Sequence, residues 1–116
     1  MTKSELSSTL HDLNIPVNEG ITGQKDANSY PRIVYWPYIE QDGVASGDEY
    51  YNKVTYQISF FSRTPQHEKY RELRKMLREK GLHPVFYHEY VEYDPIFSKT
   101  WHTYFELDVT EEYTDE

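Results

Sequence analysis

His83, His88 and His102 fall in the last third of this 116-residue chain, close to Glu89 and Glu106. Two imidazoles and a carboxylate can hold zinc. If the last two strands form a hairpin, His88 and His102 come close across it. Neighbouring residues on a strand point to opposite faces, so His88 and Glu89 do not readily share a metal. His102 and Glu106 share a face only four strand residues apart. The plainer reading of these residues is a set of solvent-facing polar positions. Glu40, Asp42, Asp48 and Glu49 make a second candidate, on a stretch that also holds Gly43 and Gly47. Paired carboxylates serve acid–base or Mg²⁺ chemistry. Catalysis needs placement to about 0.5 Å, which a mobile loop supplies poorly. A solvated charged loop fits these acids better, and such a loop is still free to order itself against a neighbouring subunit.

Nucleophiles offer less. Ser4, Ser7, Ser8, Ser29, Ser46, Ser59, Ser62 and Ser98 are present, but none sits in G-x-S-x-G. No phosphate-cradling Walker loop or dinucleotide fingerprint occurs. The chain has no cysteine, which excludes disulfides, thiolate metal sites and thiol catalysis. The expectation is a protein without catalytic residues, cofactor or metal. The surviving enzymatic alternative is a metal-dependent hydrolase built on His88, His102 or the loop acids.

The elements that would position these residues are legible from periodicity. Leu6, Leu10 and Leu13 recur at helical spacing, with Thr2 or Ser4 as a cap and Pro16 as a stop, so residues 4–13 read as a short helix. Val17 to Ile21 reads as a brief strand and 22–29 as a polar loop. Arg32 to Ile39 reads as a strand that ends, bulges or meets an edge at Pro37. Glu40 to Tyr50 reads as a long hairpin loop. In 52–62, Val54, Tyr56, Ile58 and Phe60 alternate with Thr55, Gln57, Ser59 and Phe61, as in a half-buried strand. Thr64-Pro65 predicts a helix over 65–80, with Tyr70, Leu73, Met76 and Leu77 inward and Gly81 as a left-handed stop. Strands over 83–92 and from Trp101 to Val109 follow, then an acidic tail at 110–116 that reads as frayed. The order is helix, three strands, helix, two strands. It predicts one α+β domain, a mainly antiparallel sheet of four to five strands with both helices on one face.

Composition narrows the partners. Net charge is −8, the reverse of what a phosphate-gripping surface needs, so specific nucleic-acid binding is disfavoured. The chain has no apolar run of membrane length, and its start resembles neither a signal peptide nor an anchor. The expectation is a soluble protein made inside the cell. Twelve tyrosines suit half-buried sheets and protein interfaces. Lys69, Arg71, Arg74, Lys75, Arg78 and Lys80 put six of the twelve basic residues on one helix. Such a helix is either a solvated face or a surface that meets an acidic loop or tail of another subunit. Trp36 and Tyr38 belong to an aromatic strand. It is either a central strand covered on both faces or one with core on one side and an interface on the other. Pro37 argues for an edge open to sheet extension between subunits.

The run Pro31-Arg32-Ile33-Val34-Tyr35-Trp36-Pro37-Tyr38 precedes the acidic Gly-bearing loop and Val54-Thr55-Tyr56-Gln57-Ile58-Ser59-Phe60-Phe61-Ser62. The helix, Gly81-Leu82, His88-Glu89-Tyr90 and a closing Tyr104-Phe105-Glu106-Leu107 follow. This pattern resembles small tail-component proteins of siphophages and their prophages in Gram-positive bacteria. The resemblance implies a tail-terminator or tail-completion protein. Such proteins assemble, typically as six-membered rings, on the tail tube, stop its growth and meet the head connector. It implies no cofactor and no active site. Its partners would be other copies, the tail-tube protein and a head connector or head-completion protein. It places the protein in the virion, and in the host cytoplasm during assembly. The alternatives are a head-completion or neck protein of the same virion, or a small phage-encoded regulator. Glu40, Asp42, Asp48 and Glu49 are candidates for neighbour contacts or a ring lumen. Arg71, Arg74, Lys75 and Arg78 are candidates for the ring exterior or a subunit interface.

Overall fold

The computed structural model describes residues 1–20, 30–44, 50–92 and 99–113, with the backbone alone at 42–44, 50–52, 92, 99 and 111–113. Helix α1 spans Lys3–His11. The Thr2 hydroxyl caps it by accepting from the Glu5 amide at 3.1 Å, so the nearer of the two expected caps is used. The helix ends where Asn14 takes a left-handed φ of 57°, a conformation Asn tolerates. Strand β1, Val17–Glu19, then runs parallel to β2, Arg32–Val44. Lys3 reaches Glu19 at 3.0 Å and ties α1 to β1.

β2 pairs antiparallel with β3, Tyr50–Ser62, and the register shifts between Pro37 and Ile39. That bulge is one of the outcomes Pro37 predicted. Past it, Glu40 to Val44 continue in β2 and Tyr50 in β3, so most of the expected loop is sheet. Ladder pairing such as Gln41 with Lys53 and Asp42 with Asn52 extends this hairpin despite its acids and glycine. Asp48 and Glu49 lie outside the described residues.

Helix α2 spans Glu68–Glu79, not 65–80. Gln66 has a φ of 52°, which no right-handed helix admits, so Pro65 cannot be its first residue. His67 caps the helix instead, its Nδ1 accepting from the Lys69 amide at 3.0 Å. At the other end Gly81 has a φ of 76°. Its amide donates to the Arg78 carbonyl and that of Leu82 to the Leu77 carbonyl, the paired bonds of a Schellman stop.

Strand β4 is Tyr87–Glu92 and β5 is Lys99–Tyr113. Residues 83–86 are not strand, because β5 offers partners to β4 only from Tyr104 down to Lys99. β5 instead keeps pairing with β3 up to Tyr113, so the first residues of the expected frayed tail are sheet. The end of that tail, 114–116, lies outside the described residues.

The sheet order is β1-β2-β3-β5-β4, antiparallel except for β1. Leu6, Leu10 and Leu13 of the α1 region and Tyr70, Leu73 and Leu77 of α2 pack on Ile33, Tyr56, Ile58, Phe60, Phe105 and Leu107. Both helices therefore cover the same face, and the chain is an α+β fold with one two-layer core.

Two substitutions separate packing from backbone strain. Leu73 is fully buried, so Leu73→Ala should cost about 2–5 kcal/mol. At Gly81 an added Cβ meets nothing within 4 Å, so Gly81→Ala should cost only the left-handed penalty, about 1 kcal/mol. Urea unfolding followed by circular dichroism measures both.

Candidate functional site: the uncovered face of the sheet

Strand alternation fixes what lies opposite the helices. Arg32, Val34 and Trp36 of β2, Thr55, Gln57, Ser59 and Phe61 of β3, His102, Tyr104, Glu106 and Asp108 of β5, and Tyr87 and Glu89 of β4 share the second face. Among the described residues, no element packs over it.

A continuous row of side chains crosses this face. Arg63 and Arg32 place their guanidinium carbons 4.7 and 4.5 Å from the Tyr30 ring centroid, and Arg32 also lies 4.7 Å from that of Phe61. Phe61 stacks on His102 at 4.7 Å and 6°. His102 meets Tyr104 at 4.9 Å, and Tyr104 stacks on Tyr87 at 5.2 Å and 18°. Phe61 and His102 are direct cross-strand partners, and their ring spacing matches the distance between strands. The rings therefore stand upright, face to face, and turn their edges outward. The faces of Phe61, His102 and Tyr104 are already occupied, so these three rings offer a nucleobase no platform on which to stack.

His102 ties three strands together. Its Nδ1 lies 2.7 Å from Glu89 Oε1 on β4, and its Nε2 2.8 Å from the Ser59 hydroxyl on β3. Acid, imidazole and serine are linked in the order used by serine hydrolases. Here, however, Ser59 is completely buried. It sits in the middle of the sheet, paired with Val34 on one side and Tyr104 on the other. Its backbone belongs to the ladders, and its hydroxyl is covered. Attack needs an open hydroxyl and free amides for the oxyanion. The arrangement instead orients the His102 ring within the row.

His88 and His102 both line the cleft at the start of α2, but register turns them to opposite faces of the sheet. Register sets His88 opposite Thr103, whose hydroxyl lies 2.9 Å from its Nδ1, and sets Glu89 opposite His102. His88 thus faces the helices, edge-on to Tyr70 at 5.2 Å, on the other side of the sheet. Among the described residues, no group of three or more His, Cys, Asp or Glu side chains is placed to hold a metal. Near His88 and His67 a cleft of about 180 Å³ opens at the start of α2. It is smaller than the ~300 Å³ of typical ligand sites.

The other candidates separate. Trp36 is half-buried on the open face, whereas Tyr38 is exposed at the bulge. Glu40 is exposed at the far end of β2, and Asp42 lies opposite Asn52 there. Arg71, Arg74, Lys75 and Arg78 are exposed on α2, on the helical side of the sheet. Sequence reasoning missed the roles of Tyr30, Ser59 and Glu89. Alternation assigns Ser59 and Glu89 a face, but only the register between distant strands shows that both meet His102.

Burial alone would raise the Tyr30 hydroxyl pKa. Hydrogen bonds with Arg32 and Thr100 and the charges of Arg32 and Arg63 outweigh it, and hold the pKa below the ordinary 10.0. No family model matches the chain, and no curated protein matches it significantly. No helix among the described residues is long and apolar enough to cross a membrane.

Two outcomes follow from this geometry. His102→Phe keeps the stack but strands the buried Ser59 hydroxyl, at a cost of about 1–3 kcal/mol. Adding Ser59→Ala should recover part of that loss, a coupling read from a double-mutant unfolding cycle. Tyr30, with its lowered pKa, contributes stability that is fully present above pH 10.0 and is lost as pH falls through the folded-state value. Ultraviolet titration should show a phenolate step below pH 10.0 that Tyr30→Phe removes.

Proposed function

We propose that this chain is a structural, non-catalytic protein of a long-tailed bacterial virus, of the tail-terminator or tail-completion type. It caps the tail tube and joins it to the head connector. The observation that carries the contact role is the sheet face that no described element covers, with its ordered row from Arg63 to Tyr87 beside the buried Val34 and Ser59. A sheet face left to water is usually polar. This one keeps polar residues such as Thr55, Gln57, Glu106 and Asp108 at one end, but it also holds Phe61, Trp36, Tyr104 and Tyr87, ring types enriched in interfaces. Stacking and the His102 hydrogen bonds already restrict these rotamers. A partner then loses less side-chain entropy on binding than it would against a loose surface.

The virion setting is supported by the residue pattern of the aromatic strand, the following hairpin and the closing strand. The net charge of −8 and the upright rings favour a protein partner over nucleic acid. A subunit at this position must hold other proteins in register, and a rigid sheet serves that better than a mobile loop.

The test is native mass spectrometry of the purified chain with a tail-tube protein from the same genome, joined to microscopy of virions lacking the chain. Stoichiometric binding to the tube protein and overlong or unjoined tails are expected. DNA-leaking heads with normal tails would move the protein to the head-completion position. Absence from particles, with binding to a host protein, would contradict a structural role.

A further inference from the structure

Resting on the reading of the chain as an assembly subunit, we propose a head-to-tail contact between two copies. The β2 edge of one copy, at Tyr38, Ile39 and Glu40, docks on the flank of α2 and β4 of the next. Two independent features of the surface lead to this pairing.

The first is where the apolar surface is left open. The exposed large apolar side chains among the described residues are Tyr38, Ile39, Val85, Tyr87 and Tyr90. Tyr38 and Ile39 lie on β2, beyond the point where β1 stops at Tyr35. From Trp36 onward that side of β2 has no strand partner among the described residues, so its backbone groups are open to a neighbour. Val85, Tyr87 and Tyr90 lie on or just before β4, at the opposite edge of the sheet. One molecule cannot bring these two patches together.

The second is charge. Arg71, Arg74, Lys75 and Arg78 recur at i, i+3, i+4 and i+7, which gathers them into one stripe. Like charges four apart disfavour a helix, and of the four only Arg74 has a partner among the described residues, donating to the Tyr70 hydroxyl at 3.4 Å. No described carboxylate lies within 4 Å of any of the four. Arg74 lies over the Phe86 ring at 5.4 Å, and with Arg78, His83 and Leu82 it bounds a cleft of about 70 Å³ beside Val85. That cleft has room for a side-chain carboxylate between two guanidinium groups. The far end of the sheet is its electrostatic complement. Glu40 is exposed there, and register sets Asp42 beside Asn52 and Asn52 beside Glu111. The one cation of these strand ends, Lys53, already faces Asp108 at 3.7 Å.

Tyr38 and Ile39 thus adjoin the exposed Glu40, whereas Val85 and Tyr90 share their flank with a basic stripe that outnumbers the acids Glu72, Glu79 and Glu89 there, so the net signs are opposite. Because the two patches differ, the contact is heterologous, and repeating it closes a ring or extends a filament. β2 and β4 run in opposite directions within the sheet, so copies related by rotation about the strand direction set these edges antiparallel.

The experiment is native mass spectrometry with sedimentation at 50 and 500 mM salt, on the wild type and two charge-reversed forms. Arg71→Glu/Arg78→Glu and Glu40→Lys/Asp42→Lys should each be monomeric, with circular dichroism unchanged. An equimolar mixture should reassemble into oligomers that alternate the two forms. The wild type should assemble at low salt and weaken at least tenfold at high salt. If the wild type assembles and both reversed forms do so equally well, this contact is wrong while the assembly reading stands. A wild type that stays monomeric at both salts also overturns the contact. Binding to the tube protein then judges the assembly reading on its own.

Discussion

The described residues form two helices and one five-stranded sheet, and both helices cover the same face. Everything else depends on that imbalance. Burial of apolar area drives folding, and the inward positions of β2, β3 and β5 meet it fully against the leucines of α1 and α2. The outward positions alternate with them one for one, and among the described residues no second layer covers them. They must be made tolerable to water or be met by another molecule. The row from Arg63 through Phe61 and His102 to Tyr87 does both, since the rings shield one another's faces while keeping their edges accessible.

His102 is the joint of that arrangement. It contacts Glu89 and Ser59 through its two ring nitrogens and Phe61 and Tyr104 through its ring, and so links β4, β5 and β3 on the open side. β4 is the outermost strand and, among the described residues, has a partner on one side only. The Glu89 contact and the Tyr87–Tyr104 stack are what fasten its outer face to the sheet. The same geometry explains why an acid–histidine–serine chain here has a structural use: the serine is the buried end of a hydrogen-bond relay.

Much of the architecture was legible in the sequence. The alternation of Val54 to Phe61 and of Trp101 to Val109 assigned both faces, and the leucine spacing found both helices. What the sequence could not supply was register and local torsion. The left-handed Gln66 moved the start of α2, and ladder pairing turned most of the expected loop at 40–50 into strand. The meeting of His102 with Glu89 and Ser59 depends on residues 13 and 43 positions away, a separation at which periodicity carries no information. The acidic and basic candidates were visible as charge runs. Their position on different edges and layers became visible only once the strand order was known.

The central claim is that the open sheet face is a protein-contact surface held ready by its own stacking. Hydroxyl-radical footprinting of Trp36, Phe61 and Tyr104, in the free chain and in the complex with the tail-tube protein, tests it most directly. The account predicts that labelling of these residues falls at least severalfold on binding, while that of exposed residues on α1 stays constant. Unchanged labelling of all of them in a complex of proven stoichiometry would contradict it.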